Sequence, residues 1–230
     1  MYSDNFDPLL TTAHVADACL RLGIEVRAVP LRPVRAGLQL RGRAVPVRHY
    51  GSVDVFLEAL DSAPPRSVLA VDNQGRRDEG CIGDLVALET SLADLAGIVI
   101  WGYHRDTAEI KALEFPLFSL GATPNGPVRL EKRDDQAFDS AILGGYEVTS
   151  ADYVIADDDG VLFVPADALG ELERQGRQIR ETERRQFALA RGGTSLRRQL
   201  RVAEFQERRT REPDLTFREH LRALGAAIEE

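Results

Sequence analysis

Residues 83–109 read GDLVALETSLADLAGIVIWGYHRDTAE, and this stretch decides the fold. An acidic residue, Asp84, stands at the start of an apolar helix over about 84–95. Gly97 to Trp101 is a short β-branched run of the kind found in buried strands, and Arg105-Asp106 marks where the chain leaves that strand. Twenty residues separate Asp84 from Arg105, room for one helix and the strand after it. Upstream, Ser67 to Val71 (SVLAV) is a second continuous apolar run, so the unit is strand, helix, strand and the class is α/β. The segment between, DNQGRRDEGCIGD, reads as a polar, glycine-bearing loop at a strand end, where functional loops gather.

Outward from this unit, residues 8–22 predict an amphipathic helix capped by Thr11 or Thr12, with Val15, Ala18, Cys19 and Leu22 on its apolar face and Gly23 closing it. Residues 38–48 alternate as a strand, from which Arg41, Arg43 and Arg48 project either as a solvated face or as a phosphate or carboxylate site. Residues 52–61 predict a short helix behind a Ser52 cap. A helix over 106–113 and a strand at FPLFSLG follow, then a turn-rich segment over 121–140. EVTSADYVIADDDGVLFVP reads as strand, turn, strand, with Asp157 to Gly160 as the turn.

The chain divides into a domain over 1–166 and an arm over 167–230. The arm carries 14 Arg against 12 Asp and Glu, in three predicted helices broken near Gly192-Gly193 and Pro213. Its apolar residues are too few for a core of its own, so it is expected to pack on the domain or on a neighbouring subunit.

A formal charge of −8 argues against a nucleic-acid partner, since a phosphate backbone must be met by surplus cation. No apolar run is long enough to span a bilayer and the N-terminus does not read as a signal peptide, so no membrane partner is expected and the cytoplasm is the expected location. Cys19 and Cys81 form neither a disulfide framework nor a metal cluster with His. The basic residues are 27 Arg and only Lys111 and Lys132. Both lysines lie in polar contexts, which disfavours a Schiff-base aldolase and favours metal chemistry for any aldol reaction.

Arg105 presents a fork that suits a carboxylate. Asp106 and Asp84 offer hard oxygen ligands for Mg²⁺ or Mn²⁺, and a helix starting at Asp84 points the amides of Leu85 and Val86 at an anion. These groups could hold a small 2-oxo acid; a surface salt bridge plus a helix cap is the alternative reading.

Several segments resemble the RraA-like family: Val71-Asp72-Asn73, Gly83-Asp84-Leu85, Gly97 to Ile100, Gly102, Arg105-Asp106, Pro116-Leu117-Phe118, Asp152 to Asp157, Asp159-Gly160-Val161 and Val164-Pro165. With the opening Thr11-Thr12 and Asp17-Ala18, the similarity covers roughly residues 8–166. The most specific element is the Asp followed after twenty residues by Arg-Asp. The resemblance implies a swivelling β/β/α domain assembled as a homotrimer or a dimer of trimers, with sites between subunits. It also implies a metal-dependent aldolase that cleaves a 4-hydroxy-2-oxo acid, such as 4-hydroxy-4-methyl-2-oxoglutarate, to pyruvate through an enolate, with oxaloacetate decarboxylation as a side activity. In that scheme Asp106 holds Mg²⁺ or Mn²⁺, Arg105 contacts pyruvate oxygens, Asp84 holds metal-bound water, and the amides of Leu85 and Val86, with Gly83, receive the carboxylate. His104, beside the Arg-Asp pair, is a candidate proton donor or pocket wall. Trp101, Tyr103, His104 and Ser150-Ala151 depart from the family pattern, which bears on the substrate more than on the metal. Other readings within the resemblance are a lyase for a different 2-oxo acid and a non-catalytic regulator of a ribonuclease, whose members typically lack the Asp of the Arg-Asp pair. A methyltransferase, a label often given to such chains, would need a Gly-rich pattern that Gly75, Gly80 and Gly83 do not form.

Overall fold

A computed structural model describes residues 6–224. The chain opens with α1 (Thr12–Leu22), held by a reciprocal cap in which the Thr11 hydroxyl accepts from His14 N and the His14 ring accepts from Thr11 N at 3.0 Å. Gly23, at φ 68°, ends it in the left-handed conformation that favours glycine. Short β1 (Arg27–Val29) and β2 (Arg32–Pro33) lead to β3 (Leu40–Arg48), α2 (Asp54–Ser62), β4 (Val68–Ile82), α3 (Asp84–Leu92), β5 (Gly97–His104) and α4 (Thr107–Leu113). Then come β6 (Leu117–Ser119), β7 (Gly121–Ala122), the hairpin β8 (Ser140–Leu143) and β9 (Tyr146–Thr149), and the hairpin β10 (Asp152–Asp157) and β11 (Gly160–Pro165). The arm is α5 (Leu169–Arg191), α6 (Leu196–Gln199), α7 (Val202–Arg211) and α8 (Phe217–Leu224).

The main sheet runs β1-β11-β10-β3-β4-β5-β6-β2, with β7 also beside β5. From β3 to β6 the strands are parallel, and β10, β11 and β1 continue antiparallel. The edge strands β1 and β2 are separated in sequence only by Pro30 and Leu31, yet they lie at opposite ends of the strand order. The sheet must therefore roll until its two edges come close, as in a barrel. Alternation along the strands then gives an inside and an outside. Val29, Leu40, Val68, Val99, Phe118 and Phe163 fill the inside. Outside, α2, α3 and α4 cover Val47, Leu69, Val71, Ile98 and Ile100, while α1 and α5 cover Tyr153, Ile155, Leu162 and Val164. Each fully buried Phe, Leu or Ile contributes about 1.5–3 kcal/mol, so this sandwiching of the sheet is the main source of stability.

The structure departs from the sequence expectations in several places, among them the strand expected over EVTSADYVIAD, which is two strands, β9 and β10, parted at Ser150-Ala151, and the arm, which has four helices and not three. The segment DNQGRRDEGCIGD is not a loop: β4 continues through it to Ile82, pairing with β5 in broken register (Asp72↔Trp101, Arg76↔Gly102, Gly80↔Tyr103, Ile82↔His104). Two residues with positive φ, Gln74 and Gly75, take up the surplus chain, and residues 74–78 face solvent, which is why the polar composition hides the strand. Ser52 does not cap α2; the N-cap is Val53, whose side chain has no acceptor to offer. Helix α3 stops at Leu92 rather than 95, because Asp94 turns left-handed (φ 59°) to enter β5.

In the arm, α5 lies on α1 through Leu172, Gly176 and Ile179. Beyond it, Leu200, Phe205, His220 and Leu221 are buried together, with Phe217 edge-on to Phe205 at 4.9 Å, so the later helices gather a small core that the sparse pattern did not predict. Among the described residues no helix is long and apolar enough to cross a membrane.

Candidate active site at the exits of β4 and β5

The final row of the β4–β5 ladder, Ile82↔His104, sets Gly83 against Arg105 and puts the starts of α3 and α4 at neighbouring strand exits. The Arg105 amide donates to Ile82 O at 2.9 Å, which fixes the crossing. Asp106 is then forced into the left-handed region (φ 58°, ψ 42°), an uncommon place for a residue with a side chain and one that Asp tolerates better than most. It is the N-cap of α4, but its side chain caps nothing. The carboxylate turns over Gly83 instead: a Cβ on Gly83 would lie 2.2 Å from Asp106 Oδ2. Arg105 Nε sits 3.3 Å from the same oxygen. Beneath the guanidinium, a Cβ on Gly126 would come within 2.8 Å of Nη1. Glycine at 83 and 126 is what lets the two charged side chains lie across bare backbone.

The side chains of Arg105 and Asp106 are 46% and 36% exposed. An ion pair this wet adds little to stability, so the strained Asp106 backbone is not offset by the pairing it makes. Both charged groups are thereby left open to solvent at the strand exits.

Asp84 begins α3 with its Oδ1 accepting from Leu85 N at 2.8 Å. The Leu85 amide, expected to point freely at an anion, is therefore engaged by the neighbouring carboxylate. The Leu85 side chain is 74% exposed and starts a stripe with Leu88 and Leu92 along α3, whereas Val86 turns into the core.

His104 is placed differently from the expectation of a proton donor. Alternation along β5 puts it on the α4 side of the sheet with Ile98 and Ile100, buried, its Nδ1 2.8 Å from Ser119 Oγ and its Nε2 3.0 Å from Thr107 Oγ1. Ser119 Oγ bonds Gly121 O, so it accepts from Nδ1–H, and Thr107 then donates to Nε2. Both ring nitrogens are thus engaged in the fold. Burial lowers the His104 pKa, with the Lys111 charge acting the same way against the Gly121 and Asp106 contributions, which favours the neutral ring. Trp101 is half-buried at the edge of the inner core, over Gly75, and Tyr103 lies across Gly121. Cys81 is buried, and burial pushes its thiol well above the ordinary range, so no thiolate is presented here. Burial likewise pushes Cys19 up to about 11.

Behind the exits lies a network that nothing in the sequence signalled. Glu79, 2% exposed, takes Arg129 Nε at 3.0 Å; Arg129 Nη2 donates to Asn73 Oδ1 at 3.0 Å and to His49 O at 3.1 Å; His49 Nδ1 lies 2.9 Å from Asn73 Oδ1. Together with the Gly80 N to Asn125 O bond at 2.8 Å, it ties the 123–131 segment, and so Gly126, to β4.

As for a metal, Asp84 and Asp106 are hard oxygen donors at adjacent strand exits. Among the described residues no three or more His, Cys, Asp or Glu side chains gather as a ligand set. Such a donor set fits a cation that keeps several waters, as Mg²⁺ does, and not one that needs a full protein cage.

A rolled mixed sheet, parallel from β3 to β6, with helices outside and an Arg-carboxylate pair at a strand exit, defines an α/β protein. The chain belongs to the RraA-like family, described as Aldolase/RraA, whose pattern matches residues 12–163. It is 30% identical to protein DlpA of Legionella pneumophila over 80% of this chain, although it spans only 31% of that protein's length. It is 33% identical to a Bacillus cereus protein provisionally named 4-hydroxy-4-methyl-2-oxoglutarate aldolase, over 54% of this chain and 77% of that one. Among solved structures, Streptomyces coelicolor RraAS2, described as an unusual member of the RNase ES inhibitor RraA family, superposes with a TM-score of 0.70 at 25% identity, covering 80% of this chain and 96% of that one.

Proposed function

We propose that this chain is a lyase that cleaves a 4-hydroxy-2-oxo acid to pyruvate with the help of a divalent cation. The observation that carries the reading is the placement of Asp106, held left-handed, without a capping role, over Gly83 and against Arg105. Arg105 and the α3 amides orient the 2-oxo acid carboxylate, Asp106 and Asp84 hold Mg²⁺ or Mn²⁺ and its water, and the cation supplies polarisation of the keto oxygen. Because Asp84 Oδ1 occupies the Leu85 amide, a substrate carboxylate takes that N–H only when Asp84 turns away, toward water. A base then removes the C4 hydroxyl proton, the C3–C4 bond breaks, C4 leaves as a carbonyl, and the electron pair stays on the pyruvate enolate until C3 is protonated. His104, buried and twice hydrogen-bonded, serves as packing under α4 in this scheme.

The exposed stripe Leu85, Leu88 and Leu92 on α3, and the exposed Val128 and Leu130, support a second copy of the chain covering the site, consistent with a homotrimer or a dimer of trimers. The likeness to RraAS2 supports a second reading, a regulator without catalysis. Pyruvate release from oxaloacetate, measured with and without Mg²⁺ or Mn²⁺, separates the two. Asp106→Ala should lower the metal-dependent rate by about 10²–10³-fold. Release that ignores the metal, or an unchanged rate in Asp106→Ala, defeats the lyase reading.

A further inference from the structure

At the opposite end of the parallel ladder lies a cleft of about 290 Å³ between α2, the middle of β3 (Arg43 to Pro46), Phe138 before β8 and Ser150 after β9. The register Ala44↔Val68 and Val68↔Gly97 puts it at the strand starts, whereas Arg105 follows the last residue of β5. At about 3.3 Å per residue, β5 alone separates the two ends by roughly 25 Å. The cleft wall is mostly apolar, with Val45, Pro46, Ala63 and Phe138 among its residues, and Arg43 and Ser150 on its rim.

Its charges do not balance. Glu58 also lines the cleft, but Arg133 takes both its carboxylate oxygens, one of them at 3.0 Å from Nη2, and the Arg133 guanidinium lies 5.1 Å from the centre of the Phe138 ring. Arg43 is half-buried and makes no hydrogen bond or ion pair with any described residue. Its neighbours in β3 are accounted for: Arg41 donates to Pro8 O and Leu10 O, and Arg48 to Ser140. The hydroxyls of Ser62 and Ser67, also in the wall, already donate to the Ala59 and Pro64 carbonyls. Among the described side chains of the lining, the Arg43 fork and the Ser150 hydroxyl are left to donate to a guest, beside apolar walls. Such a mouth suits a planar carboxylate carried on a compact apolar body.

We propose that this cleft is a second ligand site, which takes a small apolar monocarboxylate with its carboxylate on Arg43 and Ser150 and its apolar part against Phe138, Ala63 and Pro46. It is independent of the lyase reading, since no group of the Arg105 site takes part.

Calorimetric titration of the full chain with benzoate, and separately with uncharged benzamide, tests it. The expected result is saturable benzoate binding at one site per chain, weakened about tenfold or more by Arg43→Met, with benzamide weaker by a similar factor. Ala63→Phe should fill the cleft and abolish binding while the protein still unfolds cooperatively, and Arg105→Met should leave benzoate binding unchanged. Absence of saturable binding to the unaltered protein, equal binding by Arg43→Met, or loss of binding in Arg105→Met would each overturn the proposal. The last outcome would place the benzoate at the strand exits without touching the question of catalysis there.

Discussion

Two arginine–carboxylate pairs stand near the same strand exits and do opposite things. Arg129 and Glu79 meet at 3.0 Å with side chains 11% and 2% exposed, while Arg105 and Asp106 meet at 3.3 Å with 46% and 36% exposed. In the first pair both charges are largely removed from water, and Arg129 also donates to Asn73 Oδ1 and His49 O, while Glu79 Oε2 and Asn73 Nδ2 are buried without a hydrogen-bond partner among the described residues. Removing a partner there strands a buried charge. In the second pair water screens both charges, and neither group is committed to capping or packing. The buried pair builds the platform, and the exposed pair remains available to a ligand.

The sharpest way to break this contrast is Arg129→Met. Glu79 would keep only the more distant Arg76 and His49 near its carboxylate, so the chain should lose about 3–5 kcal/mol in denaturant unfolding. A loss under about 1 kcal/mol would show that Glu79 escapes to water. Next comes Gly83→Ala, whose new Cβ collides with the flexible end of Asp106 and not with backbone. Pyruvate release should fall about a hundredfold while the unfolding midpoint barely moves. A parallel fall in both would mean that Gly83 serves the fold alone.

The buried imidazoles sharpen the comparison through pH. Burial is the largest cause lowering both His49 and His104, so the unfolded chain binds protons more readily than the folded one as pH falls past the ordinary His value of about 6.5. Their contribution to stability is complete above that pH and is lost progressively below it. Thermal unfolding from pH 8 to pH 5 should show this decline, and His104→Asn should flatten part of it; identical slopes would contradict the buried neutral ring. The smallest effect expected is on stability in Arg105→Met, about 1 kcal/mol or less, because the exposed pair contributes so little.

The parallel unit around β5 was legible because buried strands and amphipathic helices announce themselves by period, and Gly23, Gly192 and Pro213 punctuate their ends. Arg105 and Asp106 were legible as residues leaving a strand. The state of each side chain was not. His104 looked eligible for catalysis by adjacency, yet one step of strand alternation sends it under α4 to Thr107 and Ser119. The extension of β4 through DNQGRRDEGCIGD was hidden because a bulged edge tolerates polar residues and erases the period on which strand assignment depends.

By itself, then, the sequence determined what neighbours along the chain can determine: the α/β class, the order of the helices and strands from β3 to β6, and the arrival of Asp84, Arg105 and Asp106 near helix starts after parallel strands. Only the tertiary structure decided which charges are spent. Arg129 reaches Glu79 across 50 positions and Asn73 across 56, Arg133 takes Glu58 across 75, and Arg43 finds no partner among the described residues. The physical reason is that burial and pairing are set by the rolling of the sheet, which brings together β1 and β2 from opposite ends of the strand order, and no local pattern encodes which distant side chain will be waiting when the edges close.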